Sequence, residues 1–197
     1  MIEKILGDRE PWLLIAAGII IPVLVMYVVF RMMRKKLKPL AEALGGETIV
    51  SFLEGPYVRL LDYGGEVRIG IRSGSQNSPP YLILKQMTPL GFDLTISKEN
   101  IATRKLGKWG ILKDLKIGDP LFDDRYFVRS GDAIRAQNFL QDQARREVVD
   151  YFFNNEFTEL RADKKGVTIR KAGYGDEDLD PEIIRSHLDQ IRKLASQ

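Results

Sequence analysis

The chain has 197 residues, a formal net charge of +3, 44% hydrophobic and 29% charged residues, and no cysteine. This length accommodates one anchor and one domain of ordinary size, and the composition excludes both a disordered tail and a polytopic membrane protein. Without cysteine there can be no disulfide, thiolate zinc site, iron–sulfur cluster or cysteine nucleophile, and His187, the single histidine, cannot build a multi-histidine metal centre.

The charge is unevenly spread. In residues 1–11, Lys4 and Arg9 are outnumbered by Glu3, Asp8 and Glu10. Arg31, Arg34, Lys35, Lys36 and Lys38 then follow one another with no acid between them, whereas residues 39–197 hold 23 basic and 24 acidic residues. The basic excess belongs to one short segment, so the domain has no general affinity for nucleic acid.

Residues 12–30, WLLIAAGIIIPVLVMYVVF, carry no charge. A run of roughly 20 such residues crosses a bilayer core as a helix. Trp12 and Tyr27 lie towards its ends, where aromatic rings favour the headgroup level. A cleaved signal peptide would have a basic front, a shorter apolar run and a small-residue cleavage site. Here the front is acidic and the run ends in RMMRKKLK, a stop-transfer pattern. The positive-inside rule sets residues 1–11 outside and residues 31–197 in the cytoplasm. Arg31, Arg34, Lys35, Lys36 and Lys38 are candidates for contact with anionic headgroups. Residues 31–46 read as a basic juxtamembrane helix that bends or breaks at Pro39 and ends at Gly45-Gly46.

Residues 47–97 read as strands. ETIVSF, YVRLLD, EVRIGIR, YLILKQ and FDLTIS are short, rich in β-branched and aromatic residues, and separated by turn chemistry such as Asp62-Tyr-Gly-Gly65. In Val67–Arg72, aliphatic residues alternate with arginine or glycine, so one face of the sheet is buried. Residues 98–116 carry six basic and two acidic residues around Trp109. Lys105, Lys108 and Trp109 are candidates for a membrane-surface or partner contact, the other reading being an irregular connection whose Trp109 plugs the core.

The stretch IGDPLFDDRYFVRSGD, residues 117–132, looks most like chemistry. Asp119, Asp123 and Asp124 could serve as an acid–base pair or hold a hydrated magnesium ion. Each also has a structural role open to it: Gly118-Asp119-Pro120 as a turn, and Asp123-Asp124 leading into a strand whose Arg125 and Arg129 pair with them. Residues 132–155 read as one long helix capped by Asp132, with Ile134, Ala136, Leu140, Ala144, Val148, Tyr151 and Phe152 on the core face and Asp142 on the polar one. A hairpin turning at Asp163-Lys-Lys-Gly166 follows. A last helix is capped by Asp180 with Pro181 at its first position, buries Ile183, Ile184, Leu188 and Ile191, and carries His187 on its polar side. The acidic run at 176–180 departs from a calcium loop, with Pro181 where glycine and His187 where glutamate is required. No nucleotide-binding or nucleophile-elbow motif occurs.

The anchor, the Leu44-Gly-Gly46 exit and the pattern G-D-x-x-F-D-x-x-Y-x-V-x-x-x-D from Gly118 to Asp132 resemble uncharacterised bacterial single-span membrane-anchored proteins with a cytosolic domain. That resemblance implies no activity and carries over no functional residue. It implies that Phe122, Tyr126 and Val128 face the core and that Asp132 caps a helix. The expected fold is α+β: a transmembrane helix, then a cytosolic domain at 47–197 whose antiparallel sheet is covered by helices on one face. The expected role is a non-enzymatic accessory or scaffold subunit of a bacterial inner-membrane complex, without cofactor, catalytic residue or metal. Its partners would be the lipid bilayer and other membrane subunits, with a homo-oligomer open. The alternative is a membrane-tethered lipid or ligand sensor, or an enzyme using Asp119, Asp123 and Asp124.

Overall fold

The computed structural model describes residues 11–61, 64–74, 78–98 and 114–195, and of helix residues 11–17 the backbone alone. Helix α1 spans Pro11–Leu44 and continues through both Pro22 and Pro39. The expected break at Pro39 does not occur. Leu37, Leu40 and Ala41 around it are buried in the domain core, and this packing holds the helix together across the missing donor. The helix stops where expected: Gly45 takes φ +69°, and the Gly46 amide donates to the Ala41 carbonyl at 2.8 Å.

Among the described residues, eight strands form one sheet: β1 (Glu47–Ser51), β2 (Gly55–Leu60), β3 (Val67–Arg72), β4 (Tyr81–Gln86), β5 (Leu94–Lys98), β6 (Tyr126–Ser130), β7 (Phe157–Asp163) and β8 (Gly166–Ala172). Their spatial order is β1-β2-β3-β4-β8-β7-β5-β6, and every neighbouring pair is antiparallel. The last hairpin, β7–β8, is thus inserted between β4 and β5. At its turn Gly166 adopts φ +133°, and a side chain there would collide with the Gln86 carbonyl of β4.

Alternation sorts the sheet into two faces. Val67, Ile69 and Ile71 of β3, Leu82 and Leu84 of β4, Leu94 and Ile96 of β5, and Val167 and Ile169 of β8 are at most 1% exposed. The C-terminal half of α1 covers this face over β1 and β2. Further along lie α2 (Pro120–Arg125), α3 (Ala133–Gln141), α4 (Gln143–Asn154) and α5 (Pro181–Ala195), which pack on β6, β7, β4 and β8. The α+β class expected from sequence is present, and among the described residues the helices cover one face of the sheet.

Three local expectations are corrected. The single helix over 132–155 is two, α3 and α4, because the Asp142 carboxylate accepts from the Ala144 amide at 2.9 Å and caps a new helix. The break shifts the helical phase, so Ile134 (72% exposed) and Ala144 are on the surface while Phe139, Val149 and Phe153 fill the core. In α5, Ile183 is not buried but 40% exposed. His187, expected on the polar side, is 2% exposed and lies inside.

The expected membrane span at 12–30 lies partly outside the described residues, since its first six side chains are among those not described. Among the described residues, no helix is long and apolar enough to cross a membrane, and the uncharged stretch of described side chains runs from Gly18 to Phe30.

Candidate functional site

The aspartate-rich stretch is built from caps. Asp119 accepts from the amides of Leu121 (3.1 Å) and Phe122 (3.2 Å), and Pro120 follows as the first residue of α2. Arg146 of α4 reaches the same carboxylate at 3.4 Å. Asp123 accepts from the amides of Ile117 (3.0 Å) and Gly118 (3.1 Å), and Asp124 is exposed. Arg125 pairs with Asp150 of α4 at 3.0 Å instead of with its neighbouring aspartates, and Arg129 is exposed. The Tyr126 hydroxyl donates to Asp150, and burial together with that carboxylate holds the phenol protonated far above its usual range. Phe122, Tyr126 and Val128 are buried and Asp132 accepts from the Arg135 amide at 3.1 Å, as the motif implied. The Asp119 and Asp123 carboxylates fold α2, and Asp119 and Asp150 fasten it to α4. Among the described residues, no group of three or more histidine, aspartate and glutamate side chains is arranged to hold a metal ion.

The acidic run before α5 is divided among three tasks. Asp176 pairs with Lys36 of α1 at 2.8 Å, and Asp180 caps α5 through the Glu182 amide at 2.8 Å. Asp178 is buried, accepts from the Gly175 amide at 2.9 Å and pairs with Lys171 of β8 at 2.7 Å. Beside this pair His187 sits among Tyr151, Phe152 and Phe157, its Nδ1 2.9 Å from the Tyr151 hydroxyl. Burial, with the nearby Lys171 charge, depresses its pKa to about 4, so the ring is neutral at pH 7. His187, expected on the polar side, and the Lys171–Asp178 pair thus lie inside the core, each with a polar partner.

Of the candidate contact residues, Arg31, Arg34 and Lys35 are exposed on α1. Lys36 is tied to Asp176, and Lys38 lies 3.6 Å from Glu42. Lys105, Lys108 and Trp109 lie outside the described residues. Two further surfaces stand out, the first missed by the sequence reading and the second being the uncharged run read from it. The first is the sheet face that no described helix covers, where pairing places Arg59, Arg68, Lys85, Thr168, Arg161, Thr95 and Arg129 side by side in one transverse row. Like charges directly opposite repel. Here Glu47 pairs with Arg59, Glu54 and Glu66 each lie 2.5 Å from Arg68, and Glu54 lies 3.7 Å from Lys85. Burial works against the ionisation of Glu54, yet Arg68 and Lys85 hold its carboxyl below the usual range. An open depression of about 250 Å³ lies over this row. The alternation in Val67–Arg72 revealed one cationic strand; only the strand order shows that five strands contribute a cation to the band.

The second surface is apolar. Ile19, Ile20, Ile21, Val23, Leu24, Val25, Tyr27 and Val28 of α1 stand 45–63% exposed, all round the helix. A helix apolar on every side has no aqueous face.

These features define an antiparallel α+β domain, helices on one sheet face, led by a long helix whose outer part is bare. A crystal structure of the mycobacterial trehalose monomycolate transport factor A, TtfA, has this fold: the two match with a TM-score of 0.53 over 83% of this chain and 94% of that one, at 12% sequence identity. At such identity the likeness is one of fold. No protein-family model and no curated protein matches the chain.

Proposed function

We propose that the protein is a non-enzymatic accessory subunit held at a bacterial inner membrane. Residues 12–30 form the span, the residues before it lie outside, and the α+β domain meets other membrane-protein subunits from the cytoplasmic side. The observation that carries this reading is the outer half of α1. Its described apolar side chains, from Ile19 to Val28, are exposed on every side and lead directly into Arg31, Arg34 and Lys35. Water is a poor solvent for such a surface and a bilayer a good one, with the basic residues retained on the cytoplasmic side. The engagement of Asp119 and Asp123 in backbone caps supports the non-enzymatic part. The shared fold with a protein named as a transport factor is in keeping with an accessory role.

The test is membrane fractionation followed by native extraction. The full-length chain is expected to stay with membranes through high salt and alkaline washing, and Leu24→Arg, which costs about 3 kcal/mol at the centre of a span, to release it. Extraction in mild detergent with mass spectrometry of co-migrating proteins is expected to return a stoichiometric membrane complex. Release by salt alone overturns the span, and a protein that migrates alone overturns the accessory role.

A further inference from the structure

The turn between β1 and β2 carries two adjacent apolar side chains that the domain leaves bare. Phe52 is 76% and Leu53 84% exposed, the highest values for large apolar side chains among the described residues. The turn itself is fastened. Ser51 Oγ accepts from the Glu54 amide at 3.2 Å, Arg72 reaches the Leu53 carbonyl at 3.5 Å, and the Glu54 carboxylate is gripped by Arg68 at 2.5 Å. Two large apolar groups at the tip of a pinned turn cost solvation and contribute nothing to the core.

The tip has a definite position relative to α1. A Cβ built on Gly55, which ends the turn, would lie 3.8 Å from the Phe30 ring and 3.7 Å from Arg72 Nη1. Phe30 is the last residue of the uncharged run and Arg31 the first cation after it. The tip therefore stands level with the boundary between the apolar and basic parts of the helix. From there β2 runs alongside α1 in the same direction, until a Cβ on Gly46 would meet the Arg59 carbonyl at 2.7 Å.

We propose that Phe52 and Leu53 insert into the headgroup–acyl boundary of the leaflet facing the domain, as a second point of membrane attachment beside α1. This rests on the membrane reading above. An apolar pair beside Arg72 and level with the start of the basic run at Arg31 matches the layering of an anionic leaflet, hydrocarbon beneath and negative headgroups at its surface. With two attachments the domain cannot swivel about its tether, and the Arg72 end of the basic sheet face is held towards the headgroups.

The absence of native cysteine allows the test in the full-length chain. Leu53→Cys, Ile20→Cys and Leu121→Cys each receive an environment-sensitive nitrobenzoxadiazole probe. The proteins are then reconstituted into vesicles of phosphatidylethanolamine and phosphatidylglycerol with or without brominated acyl chains. Leu121 is exposed on α2, beside β6 at the opposite edge of the sheet from β1. A blue shift and bromolipid quenching are expected at 20 and at 53 and not at 121, and Phe52→Asp is expected to cut the quenching at 53 several-fold. Quenching at 20 with a probe at 53 that behaves like the one at 121 overturns the inserted tip and leaves the span standing. No quenching at 20 overturns the span, and this inference with it. A probe at 53 that is silent in vesicles but shielded from aqueous iodide in native membranes overturns the lipid contact and assigns the tip to a protein partner.

Discussion

The two halves of α1 share one backbone conformation and have opposite surroundings. In the C-terminal half Leu37, Leu40 and Ala41 are at most 3% exposed, with Met33 and Leu44 packed against the same core, a stripe at helical spacing laid on β1 and β2. In the outer half the apolar residues from Ile19 to Val28 have no stripe and no cover. The difference teaches that apolar content alone does not say where a helix belongs. A stripe marks a helix that shares its surface between a core and water, and an unbroken apolar circumference marks one whose surroundings are apolar throughout. The sheet repeats the contrast, with aliphatic residues under the helices and a row of arginine and lysine on the face that no described helix covers.

The covered side should respond to substitution most strongly where a charge is buried. Asp178→Ala leaves the Lys171 ammonium without its nearest partner in a largely dry site, and a loss of about 4 kcal/mol in unfolding free energy is expected from denaturant titration. Glu156, 3.5 Å from the same ammonium, is mostly exposed and compensates weakly. Joint replacement with Lys171→Met and Asp178→Leu should restore most of that stability. If the single change costs under about 1 kcal/mol, the pair is not the buried anchor of the β8–α5 connection.

The halves of α1 should separate next. Leu37→Ala removes a fully buried side chain and should cost about 3 kcal/mol of domain stability, while Ile20→Ala should change it by no more than about 0.5 kcal/mol. Equal effects, measured on detergent-solubilised protein, would break the comparison by showing the outer half to be part of the same folding unit.

A subtler contrast lies in pH. The folded pKa of His187 is about 4 against 6.5 for the free side chain, so the unfolded chain binds this proton first as pH falls. Its contribution is complete above about pH 6.5 and is lost progressively towards pH 4, up to about 3 kcal/mol in the limit. In His187→Asn, stability should be lower at pH 7 and its slope between pH 6.5 and 4 shallower than in the parent. An unchanged slope would place the acid sensitivity in carboxylates such as Glu54, whose depressed pKa also makes stability fall on acidification.

Much of the local structure was legible, because the chemistry that makes it is local. The five strands from Glu47 to Lys98, the turn at Gly166, the cap at Asp180 and the stop at Gly45 each follow from residues a few positions apart. The capping role of Asp119 was half visible: the turn was expected, and α2 beyond it was not. Asp142 was misread because an aspartate can face solvent within a helix or cap a new one, and the two differ by a single hydrogen bond to a nearby amide. That choice shifted the helical phase of its surroundings and misplaced Ile134 and Ala144. His187, Lys171 and Asp178 were unreadable as core, since a polar side chain enters a core only where partners from other elements wait for it.

By itself the sequence determined the α+β class, the long apolar-to-basic helix, the alternation of each strand and most caps and turns. These depend on steric preferences, side-chain period and hydrogen bonds within a few residues. Tertiary structure alone decided that the β7–β8 hairpin enters between β4 and β5, that cations of separate strands line up across one face, and that the Phe52–Leu53 tip stands beside Phe30. Those outcomes join residues far apart in the chain, and the free energy that selects them comes from burying one face of the whole sheet at once.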